Sequence, residues 1–158
     1  MITDSLDSTD IAILRELQSD SRLTTKELAG KVHLSPTPVY ERVRRLEQQG
    51  FIRRYVALLD AEKLGLGFEV FCMVKLASIN RAMGEAFASR MLAIPHVTEC
   101  YNVSGSFDYL LKVYAADMGC YRDFVLNELG ALDNIASIES TFVMARLKHD
   151  HSVPLPIR

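Results

Sequence analysis

The chain has 158 residues, 49% hydrophobic and 24% charged, with a formal net charge of −2. This is the composition of an ordinary globular protein of one domain or two small ones. No apolar run approaches the roughly 18 residues of a membrane span, and no signal-peptide layout opens the chain, so cytoplasmic residence without a membrane partner is expected.

The near-neutral total conceals an asymmetry. Residues 22–58 carry eight Lys/Arg against three acids, a local charge of +5, while residues 61–158 carry nine against eleven. A basic stretch joined to a near-neutral remainder suits a phosphate-binding module attached to a domain with another task. Cys72, Cys100 and Cys120 are odd in number and widely spaced. That excludes a disulfide framework and reads as small hydrophobes in a reducing compartment.

Three helix starts near the N-terminus repeat one device. Leu6-Asp7 precedes Ile11, Leu23-Thr24 precedes Leu28, and Leu34-Ser35 precedes Val39. Each is a cap residue flanked by an apolar staple, and Glu27 completes a capping box with Thr24. Helices are predicted over 8–19, 25–32 and 36–49, the last ending at Gly50. A three-residue connection, His33 to Ser35, gives a helix-turn-helix whose third helix is the reading element. Ser35 caps it, and Pro36 occupies the first helical position, where a missing N–H costs nothing.

In that helix Val39, Val43 and Leu46 form one apolar stripe, and at about 100° per residue Thr37, Glu41, Arg44, Arg45 and Gln48 fall opposite. The candidate DNA-binding set is Ser35, Pro36, Thr37, Pro38, Tyr40, Glu41, Arg42, Arg44 and Arg45. The arginines supply charge toward DNA, with Thr37, Pro38 and Glu41 near base edges. Phe51 to Leu58 is rich in β-formers and reads as a strand or short wing. The plainer alternative is a small bundle with a solvated arginine face.

Residues 60–67 read as a linker between a DNA-binding domain at 1–59 and a second domain at 68–158. The second domain shows strand (68–78), helix (81–94), strand (97–104), strand (107–115), helix (117–131) and strand (135–147). This β-α-β-β-α-β order is a ferredoxin-like fold, so the chain is α+β. Met83, Phe87, Met91 and Ile94 line one helix; Met118, Tyr121, Val125, Leu129 and Leu132 line the other, both as core. The first strand is apolar on both faces, with Phe71 and Met73 behind Val70, Cys72 and Val74. Helices cover only one face of such a sheet, so a second copy of the chain is expected on the other.

These residues resemble a family. Leu34-Ser35-Pro36-Thr37-Pro38, Glu41 to Glu47, Gly50-Phe51-Ile52 and Val103 to Lys112 are similar to the Lrp/AsnC ("feast/famine") transcription factors, nearest their leucine-responsive members. The resemblance implies a winged helix-turn-helix plus a RAM-type sheet domain. It implies homodimers, octamers or larger assemblies on double-stranded DNA, and a small amino acid as effector rather than a cofactor. It places that effector near the turn joining the second and third strands, with Tyr101, Ser104, Gly105, Phe107 and Asp108 as contacts. A glycine admits close backbone approach, and Asp108 offers charge to an ammonium.

Two departures stand out. Val39-Tyr40 differs from the pair in the leucine-responsive members, so the operator does not carry over. Glu139, two residues before Thr141, occupies a place where relatives carry a smaller polar residue. As an effector contact it would alter which amino acid fits; as a rim residue it would not.

Catalysis is not expected. His149 and His151 lack a third ligand for a metal, and no phosphate loop, nucleophile elbow or paired-acid arrangement occurs. The competing non-enzymatic reading is a nucleoid-type architectural protein that binds DNA without a ligand.

Overall fold

Helix caps and alternating strands produce the two compact units of the computed structural model, which describes residues 6–78 and 80–155. The outer ends of the two expected domains, residues 1–5 and 156–158, lie outside that range.

The first unit holds three helices: α1 (Ser8–Ser19), α2 (Thr25–Lys31) and α3 (Pro36–Gln48). Both expected caps on α1 and α2 close as capping boxes, Asp7 with Asp10 and Thr24 with Glu27. His33 adopts φ 55°, and the Leu34 N–H reaches the Ala29 carbonyl at 3.0 Å. This left-handed turn ends α2 and re-aims the chain into α3, with Val32–Ser35 as the connection. Ser35 has the extended backbone of a cap, yet its side chain makes no capping hydrogen bond. Pro36 already removes one orphan donor there. Ile11, Ile13, Leu14, Leu28, Val39 and Leu46 form the core, with Val43, Phe51 and Ile52 packed against it.

One expectation fails in this part of the chain. Residues 51–58, expected as a strand or wing, form no strand, because the chain offers them no ladder partner, and Val56 and Leu58 are exposed. The last residues of the expected second domain pack away from its sheet. Residues 148–155 belong with the helical unit. The Gln18 amide clamps Val153 there, donating to its carbonyl at 3.2 Å and accepting from its N–H at 2.7 Å.

The second unit, residues 59–147, contains β1 (Phe68–Leu76), α4 (Arg81–Leu92), β2 (Val97–Asn102), β3 (Tyr109–Ala115), α5 (Met118–Phe124) and β4 (Ile135–Phe142). The sheet is antiparallel in the order β2-β3-β1-β4, the ferredoxin-like arrangement. Val70, Cys72, Val74, Leu111 and Val113 face Phe87, Met91, Tyr121, Phe124 and Leu129 in one core. Burial pushes the Cys72 thiol upward, as suits an inert core cysteine.

Pattern reading erred at α5. Met118, the first residue of α5, is 52% exposed, Phe124 is buried, and α5 continues as a π-helical turn over Val125–Leu129. The wider turn places Leu129 five residues after Phe124 on the same face. Met83 is likewise more exposed than expected, its sulfur accepting from Ser78 Oγ at 3.3 Å. β4 ends at Phe142 rather than 147, and Met144 and Leu147 are exposed.

Leu111→Ala should therefore cost about 2–5 kcal/mol in chemical denaturation at fixed protein concentration. Met118→Ala should cost about 0.5 kcal/mol or less by the same measurement, despite its place in the helical pattern.

Candidate DNA interface and effector turn

The exposed surface of α3 is set by the burial of Val39 and Leu46, both 0% exposed. Ser35, Pro36, Thr37, Tyr40, Glu41 and Arg44 lie on the solvent side, and Pro38 is half-buried. Arg44, with Arg53 and Arg54 just beyond, makes no ion pair among the described residues. Beside α3 opens a groove of about 470 Å³ lined by Leu17, Leu23, Tyr40, Val43, Arg44 and Tyr55. Tyr55 Oη donates to Glu47 at 2.9 Å, and burial together with that carboxylate pushes its hydroxyl up to about 12.

Arg42 and Arg45 are placed differently from their sisters. Arg42 donates to Asp7 at 2.6 Å and to Asp10 at 2.8 Å, and Arg45 donates to both oxygens of Asp10. Both guanidiniums are thus directed toward α1, not held free on the outer face. Sequence reading missed Asp10 because only its capping spacing from Asp7 is local; its arginine partners lie more than thirty residues away.

In the sheet unit, the residues singled out as effector contacts fall into two groups. Ser104 and Gly105 sit at the exposed tip of the β2–β3 turn, where Gly105 adopts φ +122°, a conformation L side chains rarely take. The backbone N–H groups of Ser104, Gly105 and Ser106 make no hydrogen bond among the described residues. Phe107 and Asp108 are half-buried below the tip. Asp108 accepts from the Leu76 N–H at 2.8 Å and from Lys75 Nζ at 3.2 Å. Those partners hold its carboxyl below the usual aspartate range. Its charge is already committed to the end of β1 rather than free for an ammonium.

Tyr101, Glu139 and Thr141 belong to the second group. The register aligns Tyr101, Leu110, Met73 and Glu139 in one row across all four strands, on the face away from the helices. Thr141 lies in the next row beside Phe71.

That face is less apolar than its sequence suggested. Glu69 and Lys112, each 7% exposed, pair at 3.1 Å, Lys112 also reaches Glu99 at 3.3 Å, and Arg146 donates to Glu69. Burial alone would raise Glu69, but the hydrogen bonds from Arg146 and Lys112 outweigh it and hold the carboxyl below its ordinary value. Alternation exposed Phe71 and Met73 but not this network, since Glu69, Glu99 and Lys112 are unremarkable charges in their own strands and Arg146 lies beyond β4.

His149 and His151 meet edge to face at 4.3 Å between ring centres. Among the described residues, no group of three or more His, Cys, Asp or Glu is gathered for a metal. No helix of the described residues is long and apolar enough to cross a membrane.

Comparison with known proteins agrees with this geometry. Residues 6–53 match a winged helix-turn-helix DNA-binding model, and residues 69–153 match the Lrp/AsnC ligand binding domain. A leucine-responsive regulatory protein of Rhizobium meliloti is 43% identical over 90% of this chain and 92% of its own. A proline dehydrogenase transcriptional activator of Rhodobacter capsulatus is 39% identical over 98% of this chain and all of its own. A transcriptional regulator of Neisseria meningitidis, solved as a complex with L-Met, superposes with a TM-score of 0.91 at 38% identity, covering 95% of this chain and 97% of that one.

Glu69 and Asp108 both sit below their ordinary values of 4.5 and 3.8, so the folded chain binds fewer protons than the unfolded one in acid. Their contribution is complete above the unfolded values and is lost as pH falls through the folded ones. Denaturation between about pH 3 and pH 7 should show stability falling on the acid side, and Glu69→Gln should flatten that fall. An unchanged acid limb in the variant would contradict the pairing.

Proposed function

Because the chain belongs to the Lrp/AsnC family of DNA-binding transcriptional regulators, we propose that it reads double-stranded DNA with α3 and answers to a small amino acid at the β2–β3 turn. The observation that carries the reading is the Gly105 tip. Its positive-φ glycine backbone and unengaged N–H groups offer an open cradle for a carboxylate, beyond the Tyr101–Leu110 end of the row across the sheet. The Neisseria neighbour, solved with L-Met, supports an amino acid as the occupant.

In this reading Ser35, Thr37, Tyr40 and Glu41 approach base edges and Arg44 supplies phosphate charge, with Pro36 and Pro38 shaping the helix entry. The sheet face bearing Phe71, Met73 and Leu110 pairs with a second copy, and dimers assemble further into octamers or larger species. A two-fold pair of reading helices then matches a symmetric site. Ligand acts by favouring one assembly over another, since it shifts an equilibrium only through differential affinity. Because Asp108 is held by Leu76 and Lys75, the ammonium is assigned to backbone carbonyls beside the turn instead. The assignment includes no catalysis and no cofactor, and work on DNA places the protein in the cytoplasm.

A thermal-shift screen against the twenty amino acids, followed by light scattering and DNA titration with each hit, tests the reading. At least one should stabilise the protein, by about 2.7 kcal/mol at a hundred times its Kd, and change its mass or DNA affinity. Gly105→Val should remove that response while leaving basal DNA binding in place, and Glu139→Gln should change which amino acid is preferred. If none of the twenty has any effect, the ligand-free architectural reading replaces this one.

A further inference from the structure

Asp10 is the third residue of α1, and its side chain is 1% exposed. One carboxylate oxygen accepts from Arg42 at 2.8 Å and Arg45 at 2.7 Å; the other accepts from Arg45 at 2.6 Å and from the Asp7 N–H at 3.1 Å. Asp7 accepts a further bond from Arg42 while capping α1 through its other oxygen. Two carboxylates and two guanidiniums thus form a charge-neutral cluster between the first turn of α1 and the middle of α3.

The apolar stripe and this cluster constrain α3 in different ways. Burial of Val39 and Leu46 is non-directional and tolerates rotation of the helix about its axis. A planar guanidinium on a buried carboxylate is directional and does not. A rotation of about 25° moves outward side-chain tips by about 2 Å, enough to break a base-edge hydrogen bond.

We infer that Asp10, with Arg42 and Arg45, is a positioning device that sets the rotational register in which α3 presents Thr37, Tyr40, Glu41 and Arg44 to DNA. Arg42 and Arg45 act through Asp10 and are not phosphate ligands. Arg44, which has no ion partner among the described residues, is the cation of α3 left for phosphate. The inference rests on the reading of α3 as the recognition helix.

The test uses the full-length protein, a duplex enriched by it from a random-sequence pool, and a scrambled duplex of equal length, titrated at several salt concentrations. Asp10→Asn should weaken binding to the enriched duplex about tenfold while scrambled binding stays within about twofold. Simple electrostatics gives the opposite sign, because removing a negative charge near DNA tightens binding to both. Arg45→Lys, which keeps the charge but replaces the planar guanidinium, whose Nη2 bridges both Asp10 oxygens, with a shorter ammonium, should show the same loss of discrimination with an unchanged salt slope. Arg44→Ala should lower that slope by about one.

An Asp10→Asn protein that binds the enriched duplex as tightly as the parent, or an Arg45→Ala protein with a slope lower by about one, overturns the inference. If circular dichroism shows Asp10→Asn unfolded, Asp7→Asn, which keeps a capping side chain, and Arg45→Lys decide on the same readouts. Should Thr37→Ala, Tyr40→Ala and Arg44→Ala all bind like the parent, α3 is not the reader and the inference falls with it. If those three weaken binding while the Asp10 and Arg45 variants do not, the positioning role alone is overturned.

Discussion

A carboxylate withdrawn from water must find cations, and each unit of this protein is built around one that does. Asp10 in the helical unit collects Arg42 and Arg45; Glu69 in the sheet unit collects Lys112 and Arg146. An unpaired buried charge costs several kcal/mol, so neither site tolerates loss of its partners even where the pair adds little net stability. What such a pair supplies is direction. Hydrophobic burial holds α3 on its core and β1 in its sheet, and the ion pairs fix which way the surrounding side chains point.

The same pairing decides where free charge remains. The stretch from Arg22 to Leu58 carries a net +5, but Lys31 is bound to Glu16, and Arg42 and Arg45 are bound to Asp7 and Asp10. Among the described residues, the cations left unpaired in the second half of the stretch are Arg44, Arg53 and Arg54. They lie at α3 and directly after it, on the surface proposed to face phosphate. Counting arginines overstates the DNA-facing charge, and a map of their partners corrects it.

Legibility in the sequence followed the range of the interaction. Caps and staples act over three to five residues, and α1, α2 and α3 fell within a residue of the positions they imply. Strand alternation acts at period two and gave all four strands, though not the end of β4. Failures came where the deciding contact was distant. Residues 51–58 look like a strand by composition and lack a ladder partner, which no local pattern reports. The Gln18–Val153 clamp spans 135 positions and moved the end of the chain from the sheet unit to the helical one. At α5 the pattern counts Met118 as core although it is the first helical residue, and the π-helical turn from Val125 departs from a uniform 3.6-residue period.

The effector turn shows the same division between local and distant information. Gly105 declares itself in the sequence, since a glycine between two serines at a hairpin tip signals a backbone that other residues avoid. Asp108 does not, because an aspartate beside a turn reads as solvated until its Leu76 and Lys75 partners are seen. Those partners tie the turn to the end of β1, and the other end of β1 carries Glu69 at the centre of the charged network. One central strand therefore meets the proposed ligand cradle at one end and the buried ion network of the open face at the other. A ligand that reordered the 103–108 turn would reach the Leu76 end of that strand through the hydrogen bonds of Asp108, and the face on which a second copy would sit through Tyr101 and Leu110 in the strands flanking the turn.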